Sequence, residues 1–173
     1  MTDATTPAPP AAALTHERAD GAAHMVDVGD KPSSKRNARA QATLVTRPDV
    51  IGLLLAGELP KGEALPLARI AGIMAAKQTS TLIPLCHPLF ITGADIEFSA
   101  GTDRIRIVAE VGTTGPTGVE MEAMTAVSVA ALTLYDMIKA VDKAATITDI
   151  AVLEKSGGKS ADWTRPLDDV EQT

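Results

Sequence analysis

The chain has 173 residues, 45% of them hydrophobic, which is enough for a single well-cored domain. Its net charge of -6 and its four large aromatics, Phe90, Phe98, Tyr135 and Trp163, argue against a nucleic-acid surface and leave small phosphorylated ligands as the favoured partners. The lone Cys86 excludes an internal disulfide, and with only His16, His24 and His87 beside it a structural zinc site lacks ligands.

The opening M-T-D-A-T-T-P-A-P-P-A-A-A has neither a basic nor an apolar signal region, so residues 1–23 read as a disordered lead-in. The uncharged run over 123–135 stops at Asp136, short of the roughly 18 residues of a membrane span. A cytoplasmic protein without membrane contact is expected.

A first strand is predicted over 38–46, in A-R-A-Q-A-T-L-V-T. Pro48 opens a short helix that Gly57 closes, the usual asymmetry of a proline start and a glycine stop. A second helix covers 65–77. Residues 93–100 and 104–112, separated by G-T-D, read as a hairpin whose second strand alternates as R-I-R-I-V-A-E-V. A long helix over 118–143 carries small and aliphatic residues on nearly all sides, which predicts burial on more than one face and hence an oligomer. A last strand over 146–153 leads into K-S-G-G-K-S, and a polar, flexible tail is expected over 162–173. The order β-α-α-β-β-α-β is the split β-α-β pattern of ferredoxin-like α+β domains, an antiparallel sheet backed by helices with an extra helix in the first crossover. The single domain spans 24–161.

Three stretches concentrate reactive side chains. In L-I-P-L-C-H-P-L, Pro84 and Pro88 restrict the backbone on both sides of Leu85, Cys86 and His87, so thiol and imidazole are presented at a fixed place; the plain alternative is a small buried cysteine and a loop histidine. In G-V-E-M-E-A, Glu120 and Glu122 flank Met121 in the first turn of the long helix. Carboxylates there are favoured by the helix dipole whatever their role. Two positions apart they are expected to point in different directions, one toward a ligand, the other toward a neighbouring subunit. A carboxylate accepting from a guanine-type N–H edge is the functional reading.

In Y-D-M-I-K, Asp136 and Lys139 stand three apart near the helix end and can touch. An exposed ion pair of little energetic weight is the plain reading. Their apolar flanks, including Leu134, Met137 and Ile138, instead predict a partly buried lysine with a lowered pKa, suited to acid–base work. K-S-G-G-K-S resembles a P-loop only superficially, since the Walker pattern requires glycine where Leu153 stands. Its glycines allow close backbone approach, and Lys155 with Lys159 offers charge for a phosphate. Lys61, in L-P-K-G-E, is read as a loop lysine of the same use or as a solvated turn residue.

The blocks H-M-V-D-V, A-R-I-A-G-I-M-A-A-K, L-I-P-L-C-H-P-L, T-G-V-E-M-E-A-M-T-A, A-A-L-T-L-Y-D-M-I-K-A-V and K-S-G-G-K-S, in this order over 24–160, resemble the cyclic pyranopterin monophosphate synthase family of molybdenum-cofactor biosynthesis. The resemblance implies a ferredoxin-like subunit in a homohexamer, a trimer of dimers with active sites at subunit interfaces. It implies a small-molecule substrate, a cyclised dihydro-GTP made by a radical enzyme, converted to cyclic pyranopterin monophosphate with release of diphosphate, and no metal or redox cofactor. Matched by motif, Asp136 and Lys139 are the catalytic pair; Leu85, Cys86, His87, Met121 and Glu122 fall in substrate-contacting blocks, with Glu120, Lys61 and Lys155 at further pocket positions. Ala161 departs from the family's usual glycine after K-S-G-G-K-S. Competing readings are a non-catalytic guanine-nucleotide-binding regulatory domain and a metal-dependent GTP ring-opening hydrolase, the latter short of Cys and His ligands.

Overall fold

The computed structural model describes residues 22–159 and 161–166. Two elements set its plan, a long first strand and a long late helix laid across it. β1 (Ser34–Val45) buries Ala38, Ala40, Ala42 and Leu44 on one face. Small side chains at the sheet centre let α4 (Glu120–Ile138) approach closely.

Between them, α1 (Pro48–Ala56) starts at its proline and ends at Gly57, whose φ of 70° frees its own N–H and that of Glu58 to cap the Leu54 and Leu53 carbonyls. α2 (Ala64–Lys77) follows, and a single further turn, α3 (Thr79–Leu82), was not expected from sequence. It is an afterthought of α2: the Thr79 hydroxyl donates back to the Ala75 and Ala76 carbonyls, holding the chain in a helical turn. β2 (Ile91–Ala100) and β3 (Arg104–Gly115) form the expected hairpin, β4 (Thr146–Ser156) returns beside β1, and β5 (Trp163–Thr164) adds an edge.

All pairings are antiparallel and the sheet order is β2-β3-β1-β4-β5, the ferredoxin-like arrangement with one short edge strand added. Part of the predicted tail is thus paired, whereas the predicted lead-in falls almost wholly outside the described residues, as do residues 167–173. Among the described residues helices cover one face only. Ile105, Ile107, Ala109 and Val111 continue the buried rows of β1 into β3, and Ile96 carries one into β2.

α2 lies along α4 with Ala68, Gly72, Ala75 and Ala76 buried against Ala123, Ala126 and Ala130. A Cβ on Gly72 would overlap the Ile96 side chain and come within 2.9 Å of the Ala126 carbonyl oxygen, so only glycine permits this spacing. By length and composition α4 could cross a membrane, but Val127, Leu134 and Ile138 are fully buried within the fold, as in the core helix of a globular domain. It ends at Ile138, five residues before the predicted limit. The cause is Asp142, whose buried carboxylate turns back to accept from the Thr46 hydroxyl at 2.7 Å and the Ala144 N–H at 3.0 Å, pulling the chain toward the end of β1.

Candidate active site

The N-terminal end of α4 meets the 83–90 segment and the chain before β1 in a cavity of about 670 Å³. Leu85, Cys86, His87, Glu120, Met121 and Glu122 all line it, so two stretches more than thirty residues apart converge as expected. Val26, Val28 and Lys31 close its other side. The Nε2 of His87 lies 2.8 Å from the Val26 carbonyl oxygen, and since a carbonyl only accepts, Nε2 carries the proton in this contact.

Both glutamates border this cavity, but their carboxylates take different surroundings. Glu120 stands at the very start of the helix, and its carboxylate folds back over Gly118, where a Cβ would overlap it. There it pairs with Lys155 Nζ at 3.0 Å. Glu122 is only 4% exposed and makes no hydrogen bond to another side chain among the described residues. Burial pushes its carboxyl pKa up, and the nearby Glu120 charge adds to the rise. Burial likewise raises the Cys86 thiol, with the Glu122 charge contributing, so Cys86 serves as a thiol wall of the cavity and not as a ready thiolate.

A second cavity of about 580 Å³ shares Lys31, Thr117, Gly118 and Glu120 with the first. Lys155, Lys159 and Arg36 make it basic, and Ser34, whose Oγ is buried without a hydrogen-bond partner among the described residues, lines it too. Arg36 is fixed by donating from Nε to the Gly115 carbonyl (3.0 Å) and from Nη2 to that of Pro116 (3.1 Å). Gly157 and Gly158, at φ 89° and 85°, pass so close to Lys35 and Arg36 that a Cβ on either would collide. Lys155 and Lys159 both line this cavity, the use read from K-S-G-G-K-S, whereas Lys31 and Arg36 were not assigned a role from the sequence. Their only signal was the clustering of basic residues in K-P-S-S-K-R, which does not show that this stretch and K-S-G-G-K-S reach one cavity.

Asp136, Lys139 and Lys61 lie elsewhere. Asp136 accepts from Lys139 at 2.7 Å through one carboxylate oxygen and from Lys61 at 2.6 Å through the other, and Lys61 also reaches the Asp136 carbonyl at 2.9 Å. The two ammonium groups, Lys139 first, hold the Asp136 carboxyl down to about 2. Contrary to expectation, Lys139 is half exposed and its pKa is raised by Asp136 and not lowered by burial. Leu134, Met137 and Ile138 are buried on the opposite side of α4 and do not enclose it. Sixteen residues of α4 separate Asp136 from Glu120, about 24 Å at the usual helical rise. Within one chain the three stretches therefore build two separate groups, not a single pocket.

Among the described residues no group of three or more His, Cys, Asp or Glu is arranged to hold a metal ion. A sequence model of the MoaC family matches residues 25–158. The chain is 59% identical over 152 residues to "cyclic pyranopterin monophosphate synthase 2" of Mycobacterium bovis, covering 88% of this chain and 91% of that protein. It is 60% identical over 151 residues to "cyclic pyranopterin monophosphate synthase" of Corynebacterium glutamicum (87% and 97% covered). A protein of that name from Streptomyces avermitilis is 57% identical over 161 residues, covering 92% and 95%.

Proposed function

The chain belongs to the MoaC family, and from that premise we propose that it is a cyclic pyranopterin monophosphate synthase of molybdenum-cofactor biosynthesis. It is then a lyase that takes (8S)-3',8-cyclo-7,8-dihydroguanosine 5'-triphosphate to cyclic pyranopterin monophosphate and diphosphate. The observation that carries the reading is the joining of a cavity walled by Cys86, His87, Met121 and Glu122 to a basic one holding Lys31, Arg36, Lys155 and Lys159. One suits a flat, hydrogen-bonding ring system and the other a polyphosphate.

The catalytic pair is proposed to enter this site from another copy. The separation along α4 leaves each chain with the ring and phosphate cavities at one end and Asp136, Lys139 and Lys61 at the other. A homohexamer, a trimer of dimers with shared sites, brings the two ends together. Support comes from Leu67, Ile70 and Met74, which lie along an outward stripe of α2 and are 47 to 57% exposed in the single chain. A cytoplasmic setting accords with the use of α4 inside the fold.

In the reaction Lys139 enters as an ammonium, because Asp136 holds it charged, and so acts first as a proton donor during rearrangement of the ring. Asp136 orients both lysines. The basic cavity offsets the triphosphate charge while a ribose-derived oxygen attacks the innermost phosphorus; a new P–O bond forms, the bond to the bridging oxygen breaks, and diphosphate leaves with that oxygen.

The test is to supply purified protein with the freshly generated cyclised dihydro-GTP and follow diphosphate and the cyclic-phosphate pterin by mass spectrometry. Equal amounts of both are expected. Binding without product would assign the chain to non-catalytic nucleotide binding.

A further inference from the structure

The direction of Lys155 depends on an irregularity in β4. Opposite β1 the register runs Thr43 to Thr148, Gln41 to Ala151, Ala40 to Val152, Arg39 to Glu154 and Ala38 to Lys155, so β4 contains two extra residues. The first lies at 149–150, where Asp149 adopts φ 54°; the second is Leu153. Each extra residue reverses which face the following side chains take. After the first alone, Glu154 would stand on the helix face and Lys155 on the outer one. The second bulge restores the phase: Glu154 goes to the outer face, 3.2 Å from Arg39, and Lys155 comes under α4 beside Glu120.

A bulge frees backbone groups that need new partners. The segment after the glycine turn supplies them. Trp163 and Thr164 pair with Lys155 and Glu154, and Arg165 completes the ladder with its N–H on the Leu153 carbonyl at 2.7 Å. Its guanidinium Nε donates to the Val152 carbonyl at 2.8 Å, on the other side of the bulged peptide, while stacking over Trp163. At the near end, Asp162 accepts from the Gly157 N–H at 3.0 Å.

We propose that residues 161–166 form a strap that holds the second bulge of β4, and that Arg165 is a positioning residue for Lys155 at the polyphosphate cavity. This rests on the reading of that cavity given above. Arg165 touches no substrate in this scheme; it acts by fixing the peptide whose geometry aims Lys155.

The test is calorimetric titration of inorganic diphosphate into the wild type, Arg165→Ala, Arg165→Lys, Lys155→Ala and the Lys155→Ala/Arg165→Ala double variant. Removing Lys155 should weaken binding roughly tenfold, as for loss of a charge-assisted hydrogen bond. Arg165→Ala should give a comparable loss, Arg165→Lys should recover most of it, and the double variant should bind no more weakly than Lys155→Ala alone. Emission of Trp163, the only tryptophan, should shift in Arg165→Ala as the strap lifts. Wild-type affinity in Arg165→Ala, or losses that multiply in the double variant, would overturn the proposal. Should Arg165→Ala not fold, Asp162→Ala loosens the other anchor and carries the same test, a loss seen only when Lys155 is present. Equal binding by wild type and Lys155→Ala would also end the proposal, whereas diphosphate binding without turnover of the cyclised nucleotide would count against the synthase reading alone.

Discussion

Lys61 grips Asp136 twice, at the carboxylate (2.6 Å) and at the backbone carbonyl (2.9 Å), and so ties the loop between α1 and α2 to the far end of α4. It is thereby a member of the Asp136–Lys139 group and not of the basic cavity. Removing it should let the Asp136 carboxyl rise from about 2 toward its ordinary 3.8. The stability linked to this depressed carboxyl is complete above about pH 4 and is lost as pH falls through 2. Lys61→Ala should move that loss to higher pH, read from the Asp136 carboxyl resonance in a carbon-13 NMR titration, and should lower kcat.

Lys139→Ala should abolish turnover, with nucleotide affinity reduced far less, measured by product formation against equilibrium binding. Because the Lys139 pKa is raised, the pH profile of kcat/KM should show no lysine limb below the ordinary range near 10.5. A limb at neutral pH that disappears in Lys139→Arg would contradict the assignment of the ammonium as the initial donor.

Glu122→Gln should stabilise the free protein at neutral pH and harm the enzyme. Burial raises the Glu122 pKa, so the folded state is disfavoured above that pKa and relieved of the penalty as pH falls through it toward the ordinary 4.5. Melting curves should show the variant ahead at pH 7 and level with wild type in acid. Substrate affinity should fall at pH 7.

Gly72→Ala weighs two effects of opposite sign. Alanine is better than glycine inside a helix by about 1 kcal/mol, but here its methyl meets Ile96 and the Ala126 carbonyl. Overpacking of that kind costs about 1 to 3 kcal/mol, and a backbone contact cannot be relieved by a rotamer change. Net destabilisation is expected in urea denaturation.

Ile70→Lys alters a side chain that is 57% exposed in the single chain, so the fold should lose no more than about 0.5 kcal/mol. In the proposed hexamer the same change puts a charge into an apolar contact. Sedimentation should show smaller species, and activity should fall with the assembly.

The order of strands and helices was readable because local signals agree with the tertiary structure: Pro48 and Gly57 bound α1, and alternation in β3 matches burial on one face. The convergence of Leu85, Cys86 and His87 with Glu120, Met121 and Glu122 was also anticipated. Features set by distant partners were not. Nothing local marks Asp142 as a hook for Thr46, or Leu153 as a bulge, since each depends on a segment more than ninety residues earlier in the chain. The burial expected of Lys139 failed for a geometric reason: apolar sequence neighbours one, two or five places away on a helix face other ways.

The length of α4 acquires a meaning of its own. In the proposed hexamer it carries groups for one reaction at its two ends, and so acts there as a rigid gauge for the spacing of sites. A single residue inserted near Ser128 would turn Asp136 relative to Glu120 by about 100° and so take one end of the helix out of its packed surroundings. Substitutions along the helix change packing; an insertion would also change where, in the proposed assembly, each copy delivers Lys139.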